Sequence, residues 1–159
     1  MSNLAVRPTW FSFGGTAAIV TSMGLILGLQ AAASSRQAIV GALLIVAVAD
    51  NLSDSLSVHL YQEAERLDGR DAFISTLANF VTRLVVASTF VFLVIAVPDN
   101  VMPWAATLWG LSLLAWLSHR IARARGAPPG KEIVKHLTIA GVVLAVSHLL
   151  GTWLAAAFG

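Results

Sequence analysis

The chain is dominated by five long apolar runs that are separated by short polar stretches. A helix needs about 20 mainly apolar residues to cross the hydrocarbon core of a bilayer. The runs that approach or exceed this length lie at approximately residues 11–33, 37–61, 72–97, 103–118 and 133–158. The pattern predicts an all-α polytopic membrane protein, with a single five-helix transmembrane domain over residues 1–159.

The polar connectors predict where the helices end. Ser34-Ser35-Arg36 and residues 98–103, which have a proline at each end, are typical of tight turns. Residues 62–71 form a charged connector, and residues 119–135 form a longer basic one. Within the basic connector, Pro128-Pro129-Gly130 is expected to end a helix.

The basic residues predict the orientation of the bundle. With five spans, one side of the membrane would carry Arg7, Arg66, Arg70, Arg120, Arg123, Arg125, Lys131 and Lys135. The other side would carry only Arg36, because Arg83 lies inside the third span. Cytoplasmic segments near the membrane are enriched in lysine and arginine. We therefore expect a cytoplasmic N-terminus and an extracytoplasmic C-terminus, in a bacterial inner (plasma) membrane.

Composition supports the membrane assignment and excludes several function classes. Hydrophobic residues make up 57% of the chain and charged residues 11%, whereas soluble domains carry about 25% charged residues. The basic residues lie at membrane borders with no interleaved aromatic patch, so the expected partner is the lipid bilayer and not nucleic acid. The absence of cysteine excludes disulfides and thiolate metal sites. No nucleophile–base spacing or HExxH motif is present, so we do not expect an enzyme.

The second span carries polar groups that a membrane helix normally lacks. Asp50 and Asp54 lie one helical turn apart, although a charge at the bilayer centre costs about 3 kcal/mol or more. Ser57 and Tyr61 continue the same helical face, and Asn51, Ser55 and His59 form an adjacent stripe. Carboxylate, amide and hydroxyl oxygens suit cations such as Mg²⁺, Mn²⁺ and Fe²⁺. The predicted metal and proton pathway therefore consists of Asp50, Asp54, Asn51, Ser57 and Tyr61.

The third span offers an alternative explanation for these acids. Thr76, Asn79 and Arg83 follow i, i+3, i+7 spacing and share a face that could dock on the acidic one. An internal ion pair between Arg83 and Asp50 or Asp54 would join helices without any transport. A non-transporting scaffold or regulatory subunit therefore remains open beside a transporter.

Other candidate residues carry weaker signals. Glu63, Glu65 and His59 could form a cation entrance, although a connector that pairs its own charges explains the acids more simply. His148 and Met23 are further candidate ligands for which helix packing is the favoured explanation. Gly24 and Gly28 form a GxxxG motif in span one, which favours close helix contact and a homodimer through spans one and two.

Several short motifs resemble the vacuolar iron transporter family. They are Phe13-Gly-Gly-Thr16, the small-residue turn Ala31–Ser35, the acidic second span ending in Ser57, Ala78-Asn79-Phe80, and Val146-Ser-His-Leu-Leu-Gly151. The resemblance implies five spans, a dimer, and export of Fe²⁺ or Mn²⁺ from the cytosol against protons. The metal would be the substrate, with no permanently bound cofactor.

The resemblance also implies which residues matter and where this chain departs from the family. Asp50 occupies the position of the family's second-span acid. The family's first-span acid falls near Gly15 or Thr16, where this chain has no carboxylate, and its second-span methionine falls at Val58. The family's long cytoplasmic helices are reduced to residues 62–71, which would make this chain a reduced member.

Overall fold

The structure is a computed structural model that describes residues 9–64 and 69–158, and it is helical almost throughout. The helices are α1 (Thr9–Ala31), α2 (Arg36–Ile45), α3 (Asn51–Ala64), α4 (Gly69–Ala96), α5 (Met102–Ala124) and α6 (Pro129–Phe158). The predicted all-α class is therefore confirmed. Four stretches are long and apolar enough to cross a membrane, namely residues 14–31, 36–61, 73–96 and 129–158 of the described chain.

α2 and α3 form one continuous rod that is joined by a π-helical turn over Val46–Asp50. In this turn the backbone N–H of Asn51 donates to the carbonyl of Val46, five residues earlier. A π turn is wider than an α turn and is frequently found at functional sites. The second predicted span is thus a single element with a local change of register immediately before its acidic segment.

α1 lies at the centre of the bundle and contacts α2, α4, α5 and α6. Its side chains Ile19, Met23 and Ile26 are almost fully buried, together with Phe90 of α4 and Leu114 of α5. Gly24 and Gly28 face α6 of the same chain, where a Cβ on Gly28 would lie 3.1 Å from the carbonyl oxygen of Ser147. The GxxxG motif therefore serves packing within the chain.

The connection between α5 and α6 differs from the prediction. α5 continues past residue 118 to Ala124, and its chain then turns at Gly126, which has a φ of +68°. Pro129 and Gly130 begin α6, so the prediction that the Pro-Pro-Gly segment ends a helix was wrong. Proline suits the first helical position because its missing N–H would have no partner there.

Hydrogen bonds tie the opposite end of the bundle together. Arg36, at the start of α2, donates to Asp99 Oδ1 at 2.6 Å and to the carbonyl of Val97 at 2.9 Å. Gln30, near the end of α1, donates to the carbonyl of Asp99 at 2.7 Å. The α1–α2 and α4–α5 turns therefore lie side by side, as expected for antiparallel neighbouring helices.

Candidate functional site

Arg83 of α4 lies between the two acids of the second span. Its Nη2 donates to Asp50 Oδ2 at 2.6 Å, and its Nη1 donates to Asp54 Oδ2. The side chain of Arg83 is only 4% exposed, whereas those of Asp50 and Asp54 are 47% and 37% exposed. The cluster therefore has a buried positive centre and two carboxylates that reach the surface of the chain.

The polar stripe adjacent to the acids on the second span packs against α4. Asn51 and Ser55 are almost fully buried, and the side-chain amide of Asn51 donates to the carbonyl of Phe80 at 2.9 Å. Asp50, Ser57 and Tyr61 are exposed, and Asp54 is half-buried. The predicted set is thus divided, with Asn51 inside the bundle and the remaining members at its surface or edge.

The close approach of α1 explains why Arg83 is tightly packed. A Cβ on Gly14 would collide with Asn79 Oδ1 and would lie 2.9 Å from Arg83 Cγ. Asn79 is itself 2% exposed, on the same face of α4 as Arg83. A side chain larger than hydrogen at Gly14 would therefore displace the polar residues that face it.

Space inside the chain beside Arg83 is very small. The cavity there has a volume of about 10 Å³ and is lined by Thr21, Ser22, Asn51 and Arg83, among others. About 10–15 Å³ is the least that one water molecule needs. The cavity beside Arg83 is thus too small for a hydrated ion, whereas both carboxylates are accessible from the outer face of α3.

The remaining predicted site residues do not join the cluster. Ser57 donates to the carbonyl of Ser53 in its own helix at 2.9 Å, and His148 lies on the exposed face of α6. Met23 is fully buried against Gly110, so it fills the core. His59 is half-buried on α3. The side chain of Glu63 and the whole of Glu65 lie outside the described residues.

The chemistry of the cluster follows from its charges. Arg83 binds one oxygen of each carboxylate. The two carboxylates and the single guanidinium together carry a net charge of −1 when ionised. Among the described residues there is no group of three or more His, Cys, Asp and Glu side chains that could hold a metal ion. Among the described residues, the cluster therefore offers two acidic oxygen donors, and a fuller ligand set would draw on amide or hydroxyl side chains, backbone, water or a second chain.

No family model, curated protein or solved structure matches this chain. The function must therefore be argued from the cluster itself, and the family resemblance stays an expectation.

Among the polar contacts that the sequence did not predict, one joins α5 to α6. Ser118 of α5 and His136 Nδ1 of α6 form a hydrogen bond of 2.8 Å, and Glu132 Oε2 lies 4.0 Å from His136 Nε2. The order Ser–His–Glu has the composition of a hydrolytic triad, but Ser118 is fully buried. Its hydroxyl therefore joins α5 to α6 inside the bundle. No local motif signals a contact between residues 18 positions apart on separate helices.

Proposed function

We propose that this protein is an integral membrane transporter of divalent metal cations of the Fe²⁺/Mn²⁺ class. It would have five spans, with the N-terminus in the cytoplasm of a bacterium, and export the metal from the cytosol in exchange for protons. The observation that carries the proposal is the exposure of Asp50 and Asp54 on the outer face of a helix suited to a membrane. Ionised carboxylates are rarely exposed to lipid, and such residues commonly mark ion or proton pathways.

A second copy of the chain would shield the acidic outer face of α3 from lipid. Asp50, Ser53, Ser57 and Tyr61 are all exposed on one side of the α2–α3 rod, and an apolar surrounding is unfavourable for polar and charged side chains. A symmetric dimer through this rod would bring four carboxylates and two arginines to one interface. The pair would offer a metal ion more oxygen ligands than the two carboxylates of one chain's cluster.

Arg83 fits this role as a counter-charge. Two unpaired acids one turn apart would repel each other, and the guanidinium between them offsets that repulsion while leaving a net negative charge. Cations are attracted to such a cluster without being held as tightly as by two free carboxylates. Entry and release both require binding of this intermediate strength.

Metal flux into proteoliposomes tests the proposal. We expect Asp50→Asn to reduce Mn²⁺ or Fe²⁺ flux at least tenfold, because the amide removes the most exposed charge of the cluster. Asp99→Asn is the matched control, since Asp99 is also paired with an arginine but lies in the α4–α5 turn. Its flux should stay within twofold of the unmodified protein. Equal flux with and without the Asp50 carboxylate would contradict the proposal.

A non-transporting scaffold or regulatory subunit is the second candidate. It is favoured by the double pairing of Arg83, which already joins α3 to α4 and occupies both acids. In that case the unmodified protein would carry no metal flux, and substitutions at Asp50 and Arg83 would alter stability alone.

A further inference from the structure

A groove runs along the last three turns of α5. It has a volume of about 1060 Å³ and lies between α1, α4 and α5. Its walls are mainly apolar and include Ile19, Val86, Leu113 and Leu117. His119, Arg120 and Arg123 line the same groove at the C-terminal end of α5. We propose that this groove binds one anionic phospholipid, with an acyl chain between the helices and the phosphate at the two arginines.

The dimensions of the groove fit one leaflet. Leu113 and Ala124 mark its extent on α5, and a helix rises about 1.5 Å per residue, so this segment is about 16 Å long. The hydrocarbon core is about 30 Å thick, and one leaflet accounts for about half of it. The basic residues then lie at headgroup level when the apolar walls lie at acyl-chain level.

The charge at the groove mouth decides which lipid is favoured. Arg120 and Arg123 are exposed, and none of the described residues that line the groove carries a carboxylate. Basic pockets between membrane helices recognise anionic headgroups, and arginine can donate two parallel hydrogen bonds to a phosphate. A zwitterionic headgroup would place a positive group next to these arginines and would bind less well.

A second groove between α4 and α5 provides an internal comparison. It has a volume of about 760 Å³ and is lined by residues such as Leu84, Phe92 and Trp109, with no charged side chain among its described lining residues. The Trp109 Nε1–H donates to Thr89 Oγ1 at 3.0 Å and closes α4 on α5 locally. Lipid in this second groove would meet only uncharged side chains among the described residues, so we assign headgroup selectivity to Arg120 and Arg123 of the first groove.

Native mass spectrometry of the full chain in detergent tests the proposal. The probes are phosphatidylglycerol and phosphatidylcholine with identical acyl chains, and glycerol 3-phosphate as the soluble headgroup. We expect retention of one phosphatidylglycerol with at least tenfold preference over phosphatidylcholine. Glycerol 3-phosphate should not displace it, because it lacks the acyl chains that occupy the apolar walls. Displacement at equal concentration would overturn the assignment to a lipid.

Substitutions at the mouth separate the arginines from the rest of the basic segment. In Arg120→Gln/Arg123→Gln the preference for phosphatidylglycerol should disappear, since two basic residues that each contribute a factor of about five account for a preference of more than tenfold. Arg125→Gln is the matched control, because Arg125 is exposed at the same helix end but does not line the groove. Arg120→Lys/Arg123→Lys should retain most of the preference. Equal loss in the Arg125 variant, or no preference in the unmodified protein, would overturn the proposal.

Discussion

At the scale of single residues, Arg83 is the side chain on which the cluster depends. A guanidinium that is 4% exposed has lost most of its hydration, and its bonds to Asp50 and Asp54 compensate for that loss. Removing one partner of a buried ion pair is more damaging than replacing the whole pair by apolar groups, because it leaves an uncompensated charge. The acids are only partly buried within the chain, so their charges have more access to other polar partners than the charge of the arginine has.

A double-mutant cycle on Arg83→Met and Asp54→Asn measures this dependence. We expect each single substitution to lower the free energy of unfolding by about 2–4 kcal/mol, and the double variant to lose less than the sum by about 1–3 kcal/mol. Thermal unfolding of detergent-purified protein provides the measurement. The exposed pair Arg36 and Asp99 is the control, with an expected coupling below about 1 kcal/mol. Strictly additive losses at Arg83 and Asp54 would show that the two charges are not coupled.

At the scale of elements, the π turn determines which side of the second span is buried. Ile39, Leu43, Ala47, Asn51 and Ser55 are all buried, at steps of four residues. In an uninterrupted α-helix each such step drifts by about 40°, or about 160° over the whole series. In the wider turn at Val46–Asp50 each residue rotates the chain by less, which reverses part of that drift. It therefore keeps this column against the bundle and leaves Asp50 at the surface.

The contact between α1 and α6 can be tested with a pair of glycines in one helix. A Cβ on Gly151 would collide with the carbonyl oxygen of Gly28 and would lie 2.8 Å from Ala31 Cβ, whereas Gly141 has nothing within 4 Å. We expect Gly151→Ala to lower the free energy of unfolding by about 1–3 kcal/mol through overpacking. Gly141→Ala should be neutral or slightly stabilising, because alanine has the higher helix propensity. Equal melting temperatures for the two variants would contradict the close α1–α6 contact.

At the scale of the whole molecule, the proposed function depends on two features. α5 must cross the membrane, and a second copy of the chain must cover the acidic face of α3. α5 is not among the four stretches of the described chain that are both long and apolar enough for a span, but its 23 residues correspond to about 34 Å at the rise of an α-helix, close to the thickness of the hydrocarbon core. Its last turns carry His119, Arg120 and Arg123, which would snorkel to the interface. The chain contains no cysteine, so single introduced cysteines report position without background.

Accessibility of two such cysteines decides whether α5 crosses the membrane. Asn100 and Lys131 are exposed, and they lie beyond opposite ends of α5. With five spans and a cytoplasmic N-terminus, Asn100→Cys should react with an impermeant maleimide from outside the cell, and Lys131→Cys only after lysis. Labelling of both from the same side would remove α5 from the set of spans.

Cross-linking in the native membrane tests the second copy. Ser57→Cys lies on the exposed acidic face of α3, and we expect a bifunctional maleimide to convert it to a covalent dimer. Val146→Cys, on the exposed face of α6, is the matched control and should stay monomeric. Dimers through residue 146 but not residue 57 would place the interface elsewhere and leave the acids without the proposed cover.

The sequence by itself determined the properties that depend on local composition and spacing. Hydropathy alone predicted the helical class and the suitability of several helices for a membrane, because about 20 apolar residues suffice for that inference. The unusual position of Asp50 and Asp54 was also visible in the sequence, because charged residues inside an apolar span are costly. Helical spacing was enough to name Arg83 as a possible partner. Helix ends were less accurate, as the extension of α5 and the start of α6 at Pro129 show.

Only the tertiary structure decided which polar groups meet and which face outward. Arg83 binds both acids, Asn51 packs inside, and Met23 fills the core instead of joining a site. The hydrogen bond between Ser118 and His136 and the basic groove beside Arg120 arise from helices that are distant in sequence. The physical reason is that burial depends on how helices pack and on a local change of helical register. The periodicity of hydrophobic residues indicates which face of a helix is buried, but it specifies neither how the helices pack nor where the helical register changes.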